Sequence, residues 1–125
     1  MLRYIEKENK KLGFKYKDYY LPQGDSFSLR ATESNGEEQL ISRLVFKLGL
    51  AESDCKINPV FQQEFAKAVD GSWVCKVSGE ETAKWKPTCA CDAPYVYEIE
   101  GYYIDEEPTT LRTGNFTIEP QIGGE

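Results

Sequence analysis

Apolar and polar residues alternate with a period of two along much of this chain, which is the pattern of half-buried β-strands. In the stretch SFSLRAT, Phe27, Leu29 and Ala31 fall on one face and polar residues on the other. The same alternation recurs in three further stretches, and these place the following residues on shared faces: Leu44, Phe46 and Leu48; Trp73, Cys75 and Val77; Tyr95, Tyr97, Ile99 and Tyr103. The pattern therefore predicts a succession of short strands.

Two segments have patterns that fit a helix as well as other structures. In PVFQQEFAKAV, residues 59–69, Phe61 and Phe65 are four apart as on a helix face, but they also alternate with Gln63 as in a strand, which we favour. In SGEETAKW, Ser78 and Glu81 have the spacing of a capping box. This spacing predicts one helical turn between Ser78 and Trp85, with the Trp85 indole under the sheet.

The last strand changes its parity. Leu111 and Thr113 are odd-numbered, whereas the apolar residues Phe116 and Ile118 are even-numbered. A β-bulge at Gly114 would restore the pattern, since a bulge is a common reason for glycine inside a strand.

The strand candidates are separated by turn-forming clusters of Gly, Pro, Asn and Asp, and the chain contains 8 Tyr, 6 Phe and 2 Trp among 125 residues. Short strands with such punctuation predict an all-β fold, a β-sandwich or small barrel. We divide the chain into a charged N-terminal arm or extension (1–21), a β-sandwich domain (22–120) and a C-terminal tail (121–125). The segment from Met1 to Lys17 is expected to reach a neighbouring subunit.

The formal net charge of -6 and the pI of about 4.8 argue against nonspecific binding to nucleic acid, because phosphate backbones repel an acidic protein. No apolar run approaches the ~20 residues that span a bilayer. After Met1 and Leu2, charged residues interrupt the chain from Arg3 onward, so the apolar core of a signal peptide is not expected. The sequence therefore predicts no nucleic-acid partner, no membrane segment and no signal peptide.

Residue types that carry catalysis are scarce. The chain has no histidine, the commonest general base, and no glycine-rich phosphate loop. The neighbouring carboxylates Glu80 and Glu81, and those of 105–107, are typical of solvated turns. We expect a protein that is not an enzyme, with no catalytic residues and no cofactor.

Four cysteines, Cys55, Cys75, Cys89 and Cys91, are the sharpest chemical candidates. A Cys-x-Cys pair holds zinc when other thiolates join it, but structural sites usually use two Cys-x2-Cys pairs, and Cys55 and Cys75 are twenty residues apart. Zinc, disulfides and free thiols all stay open, and free thiols are favoured with no metal site expected. By parity with Trp73, Cys75 is predicted to be a buried thiol that behaves as a small hydrophobe.

Tyrosines are the other candidates for a functional surface. Exposed tyrosines supply contact area for a glycan or a protein at a low entropic cost. The alternative is that they line the core, since aromatic residues pack well against cross-strand neighbours. The candidate interaction surface consists of Tyr16, Tyr19, Tyr20, Tyr102 and Tyr103.

Several landmarks follow one another over roughly residues 22–120: a Gly-Asp before the first strand, a Thr-containing helical turn, a Tyr-x-Tyr-x-Ile strand and a Thr-x-x-x-Gly-x-Phe-x-Ile strand. They are Gly24, Asp25, Thr82, Trp85, Tyr95, Tyr97, Ile99, Thr110, Gly114, Phe116 and Ile118. The order of these landmarks resembles a domain of tailed-phage and prophage proteins, and is similar to the N-terminal domain of baseplate upper proteins.

The resemblance implies an immunoglobulin-like β-sandwich of about seven or eight strands with one short helical turn. It also implies a non-enzymatic structural protein of a tail or baseplate, located in the virion or the host cytoplasm. Such a protein acts through protein–protein contacts with other phage structural proteins or with itself as a homo-oligomer.

Two other functions stay open. One is a module that binds a glycan or host surface, which an exposed row of tyrosines would favour. The other is a small acidic inhibitor of a host protein, encoded by a prophage. A compact acidic patch of Glu98, Glu100, Asp105, Glu106 and Glu107 would favour the inhibitor.

Overall fold

The computed structural model describes residues 1–9, 14–31, 41–51, 57–87, 95–103 and 108–120. These residues form nine strands and one short helix. The elements are β1 (Arg3–Asn9), β2 (Phe14–Pro22), β3 (Phe27–Ala31), β4 (Ile41–Ala51), β5 (Ile57–Glu64), β6 (Ala66–Lys67), β7 (Trp73–Val77), α1 (Gly79–Thr82), β8 (Tyr95–Tyr103) and β9 (Thr109–Glu119). The prediction of an all-β fold with one short helical turn is confirmed.

The strands form two sheets. The larger sheet has six strands in the order β1-β2-β9-β8-β4-β5, and the smaller one has three in the order β3-β7-β6. β2 and β9 are parallel, and every other neighbouring pair is antiparallel. The chain crosses between the sheets at Phe65, whose N–H donates a hydrogen bond of 2.8 Å to the carbonyl of Leu44. Within residues 59–69, β5 extends to Glu64 and β6 covers Ala66–Lys67, so the segment is strand and not helix, as the alternation favoured.

The inner faces of the two sheets share one core. The ring of Phe27 in the smaller sheet lies 6.1 Å from the ring of Phe46 and 5.4 Å from that of Phe116, both in the larger sheet. Most inward positions that the alternation predicts are buried: Phe27, Leu29, Leu44, Phe46, Leu48, Trp73, Cys75, Val77, Tyr95, Tyr97 and Ile99. Ala31 is half-buried, and the side chain of Tyr103 lies outside the described residues. Period-two alternation thus identified most of the core.

The helical turn follows its local sequence. The Ser78 hydroxyl accepts a hydrogen bond of 3.2 Å from the N–H of Glu81, so Ser78 caps α1 as the spacing predicts. Thr82 is buried and its hydroxyl donates a hydrogen bond of 2.8 Å to the carbonyl of Asp25. Trp85 follows at 1% exposure against Phe27, which confirms its predicted place under the sheet.

The first 21 residues, which the sequence analysis separates as an arm, supply β1 and β2 of the larger sheet. Tyr19 and Leu21 are buried, and they pair with Phe116 and Ile118 of β9. A charged N-terminal segment is ordered when it is tied into a sheet. Here β2 pairs with β9, a strand nearly one hundred residues further along the chain. The local charge pattern does not reveal this pairing.

The bulge predicted at Gly114 lies elsewhere. Ile99 pairs with Arg112 and Glu100 pairs with Thr110, so Leu111 is the extra residue, while Gly114 pairs regularly with Tyr97. A Cβ atom at Gly114 would overlap the carbonyl oxygen of Lys17 on β2. The prediction was wrong: the glycine is needed because the β2 backbone approaches β9 closely.

Candidate functional site

The larger sheet is wider than the smaller one, and a groove of about 710 Å³ lies between β3 and the strands β1 and β2. We call it the inner groove. It is lined by Met1, Leu2, Tyr4, Lys17, Tyr19, residues 26–31, Leu44, Phe65, Ile99, Leu111 and Arg112. Its volume is in the range of natural ligand-binding clefts.

Two strand faces build the floor of the inner groove. Tyr4 of β1 pairs with Tyr19 of β2, and their rings lie 6.2 Å apart. On the other side, Ile99 of β8 pairs with Arg112 of β9. Because alternate residues of a strand face the same way, Arg112 shares the inner face of β9 with Gly114 and the core residues that follow it.

Large apolar side chains are exposed in the inner groove. Met1, Tyr4 and Leu111 are 88%, 56% and 39% exposed, and all three line it. Leu111 is the bulged residue of β9, so its side chain departs from the regular alternation. Clustered exposed apolar groups are typical of a surface that binds another molecule.

The charge of the inner groove is opposite to that of the whole chain. Lys17, Arg30 and Arg112 line it, and no Asp or Glu does in the part of the chain that the structure describes. The Lys17 ammonium lies 4.3 Å from the centre of the Tyr4 ring, and the Arg30 guanidinium lies 3.4 Å from the Asp70 carboxylate. Arg112 is half-buried. Among the ion pairs of the described residues none includes it.

A second groove, of about 730 Å³, lies on the opposite face of the larger sheet and is called here the outer groove. It is lined by Lys47, Leu48, Gly49, Ile57, residues 59–62, residues 96–98 and Thr113. The Lys47 ammonium beside it forms an ion pair of 3.0 Å with Glu100. Glu100 also accepts a hydrogen bond of 3.2 Å from the hydroxyl of Tyr102.

The two carboxylates of β8 on this face titrate differently. The hydrogen bond from Lys47 holds the pKa of Glu100 below its usual value. Burial raises the pKa of Glu98, and the neighbouring Glu100 carboxylate raises it further. Glu100, a member of the predicted acidic patch, is therefore already paired within the chain. Residues 105–107, the rest of that patch, lie outside the described residues.

Tyr19, Tyr20 and Tyr102, the candidate tyrosines whose side chains are described, do not lie together on one surface. Tyr19 is buried at 4% exposure, in edge contact with the ring of Tyr97. Tyr20 pairs with Thr117 near the end of β9, whereas Tyr102 follows Gly101, which pairs with Thr109 at the start of β9. Tyr20 and Tyr102 are half-buried. The side chains of Tyr16 and Tyr103 lie outside the described residues.

One of the four cysteines is described. Cys75 is a free thiol with 0% exposure, and burial raises its pKa to about 11. A contact of 3.6 Å from the Gln63 amide acts in the opposite direction. Cys75 is thus the buried small hydrophobe that the parity predicts. Cys55, Cys89 and Cys91 lie outside the described residues.

No cluster of three or more His, Cys, Asp or Glu side chains able to hold a metal ion is found within the described ranges. Within the same ranges, no helix has the length and apolar character needed to cross a membrane. No protein-family model matches the chain, and no curated protein matches it significantly.

The inner groove was missed at the sequence level, although part of its signal was there. Arg112 has the same parity as Phe116 and Ile118, and without the bulge that the sequence analysis expects at Gly114 this parity places all three on one face. An arginine on an apolar face indicates a charge that faces the interior or its rim. Lys17 and Arg30 gave no such signal, because charged residues surround Lys17 and Arg30 alternates with core residues.

Proposed function

We propose that this chain is a non-enzymatic structural protein of a tailed phage or prophage, part of the tail or baseplate, and that it acts through protein–protein contacts. The non-enzymatic part rests on the sequence, which has no histidine and no phosphate-binding loop. The phage part rests on the resemblance of residues 22–120 to the domain of baseplate upper proteins.

The fold part of the proposal is an immunoglobulin-like sandwich. Two sheets packed over one core support it, as do the antiparallel β8–β9 pair and the short helix between β7 and β8. The landmarks of the resemblance have structural roles here. Gly24 has a φ of 89° in the turn before β3 and Trp85 is buried after α1. Gly114 is where β9 meets β2.

The observation that carries a protein–protein role is the inner groove. Exposed apolar side chains, the cations Lys17, Arg30 and Arg112 and the edge of a sheet meet there, and no Asp or Glu is among the described lining residues. Protein interfaces combine an apolar centre, aromatic residues and arginine in this way. In an isolated chain the apolar groups are exposed to water. Their burial against a partner would lower the free energy.

The rival functions have weaker support. A glycan-binding row needs neighbouring exposed tyrosines, and Tyr20 and Tyr102 lie towards opposite ends of β9. An acidic decoy needs unpaired carboxylates, and Glu100 is bound by Lys47. Neither rival accounts for the cations of the inner groove.

The test is to find the protein in particles. Phage induced from the strain that carries the gene would be purified on a density gradient, and the proteins of the tail fraction quantified by mass spectrometry. We expect several copies per particle, at a constant ratio to the other tail proteins, with an abundant host enzyme as the control for contamination. If the protein is abundant in the host lysate but no more abundant in the particles than the control enzyme, the proposal is contradicted.

A further inference from the structure

The edge of β3 lies along the inner groove. β3 is the terminal strand of the smaller sheet, so in the described part of the chain it has β7 as its one strand partner. Half of its N–H and C=O groups therefore point away from β7. Residues 26–31 all line the groove. An unpaired edge of this kind is where an extended segment adds to a sheet.

Arg112 supplies the second feature. It is half-buried on the inner face of β9, makes no ion pair with another described residue, and has Lys17 and Arg30 in the same groove. A guanidinium in such a place favours a carboxylate, because the two groups form paired, charge-assisted hydrogen bonds. The groove has no acidic lining residue of its own in the described ranges to fill that role.

Apolar side chains complete the surface. Tyr4 and Leu111 are exposed on the side of the groove opposite β3, and Leu29 and Phe65 line its buried part. In an added strand, side chains alternate between the two faces. Every second residue would then contact these apolar groups, while the backbone pairs with β3.

We propose that the inner groove binds an extended, acidic segment of a partner protein, which adds to the edge of β3 as a further strand and places a carboxylate against Arg112. The inference rests on the protein–protein role proposed above and names the chemistry of the partner. The bound segment carries apolar residues at alternate positions and an Asp or Glu where it reaches Arg112.

A peptide selection tests the inference and does not require the partner to be identified first. A yeast-displayed library of random twelve-residue peptides is sorted on the purified protein. The sorted clones are then compared on wild type, Arg112→Gln and Lys76→Gln. Lys76→Gln is the matched control, since it removes one positive charge from an exposed residue of β7 outside the groove. Thermal unfolding of all three proteins establishes that each is folded.

We expect enriched peptides with alternating apolar residues and at least one Asp or Glu. As synthetic peptides they should bind Arg112→Gln about tenfold more weakly than wild type, the loss of one charge-assisted contact. Binding to Lys76→Gln should stay within about twofold of wild type, because exposed charges outside an interface contribute little. Failure to enrich any peptide whose binding depends on Arg112 would overturn the inference.

The strand pairing has its own test. Methylation of alternate backbone nitrogens in the best peptide removes the donors that pair with β3, and we expect about tenfold weaker binding or more. Equal binding of the methylated peptide would contradict strand addition. A competition experiment compares laurate with unlabelled peptide as displacers of the labelled peptide. If laurate displaces it at the lower concentration, the preferred ligand is an amphipathic anion and the inference is overturned.

The two proposals fail separately. Presence of the protein in tails together with no Arg112-dependent peptide upholds the structural role and refutes the partner segment. Absence from particles together with Arg112-dependent peptide binding refutes the phage role and leaves the groove as a binding site of another protein.

Discussion

The inner and outer grooves have nearly equal volumes, about 710 and 730 Å³, but they differ in how their charges are satisfied. In the outer groove, Lys47 and Glu98 have opposite charges, and Lys47 is paired with Glu100. In the inner groove, the described lining residues include cations and no carboxylate. Volume therefore does not single out a site in this protein, whereas Arg112 does, a cation with no ion pair among the described residues that lies beside exposed apolar groups.

The backbone at the two grooves differs in the same direction. β5, at the edge of the larger sheet, contains Pro59, which has no N–H to donate, and its register with β4 shifts between Leu48 and Gly49. Proline and bulges on an edge strand hinder the addition of another strand. β3 contains neither proline nor a register shift. Strand addition is thus favoured at the inner groove and opposed at the outer one.

The largest effect on stability is expected at Gly114, where β2 and β9 come together beside the inner groove. Gly114→Ala places a Cβ atom against the carbonyl of Lys17 and should lower the free energy of unfolding by about 3 kcal/mol. Gly71→Ala is the matched control: its Cβ meets nothing within 4 Å, and its positive φ should cost about 1 kcal/mol. Urea unfolding of both variants measures the difference. A cost for Gly114→Ala no larger than for Gly71→Ala would contradict this interpretation of the contact.

The second effect concerns Cys75, which pairs with Leu29 of the inner groove. Burial raises the pKa of its thiol from 9.0 to about 11, so the unfolded chain loses this proton first as the pH rises. The resulting stability is complete below pH 9 and is lost as the pH rises through 11. We expect wild type to lose about 2 kcal/mol more than Cys75→Val between pH 8 and 11.

Urea unfolding at several pH values measures this difference, because the other cysteines contribute equally to both proteins. Parallel loss of stability in wild type and Cys75→Val would show that the thiol is not desolvated in the folded state. The core beneath the inner groove would then be open to water.

A smaller effect is expected at the outer groove. Lys47→Gln removes the partner of Glu100 and should cost about 0.5 kcal/mol at neutral pH, the usual contribution of a partly exposed ion pair. Lys47 lowers the pKa of Glu100, so this stability is present above the ordinary pKa and lost as the pH falls. Carboxyl titration by NMR should show a higher pKa of Glu100 in the variant. An unchanged value would mean that the pair does not form in solution.

The smallest effect on stability is expected at Arg112. Because no described residue forms an ion pair with it, Arg112→Gln should change the free energy of unfolding by less than about 0.5 kcal/mol. The same variant should lose peptide binding at the inner groove. A cost above about 1 kcal/mol would show that the fold itself uses the guanidinium, and the contrast between the two grooves would disappear.

The local pattern predicted the strands well, since alternation depends only on which residues face a core. Leu44, Phe46 and Leu48 are an example, and all three are buried. The cap of Ser78 on α1 is local too, as both of its partners lie within one turn. The pattern failed for β1 and β2, where charged residues hide the alternation and the pairing partner is distant in sequence.

The local pattern did not predict the candidate site either, because its residues are distant from one another in the sequence. The five candidate tyrosines were chosen by residue type, and Tyr19 turned out to be buried. The inner groove joins β1, β2, β3 and β9, which come together only through the sheet order.

The sequence by itself determined that this is an all-β protein, which residues of most strands face the core, and where the helical turn α1 lies, because neighbouring residues set these properties. The tertiary structure alone decided that β2 lies beside β9, that Gly114 is needed for their approach, and that Lys17, Arg30 and Arg112 share one groove. These depend on contacts between segments far apart in the chain, which periodicity does not encode.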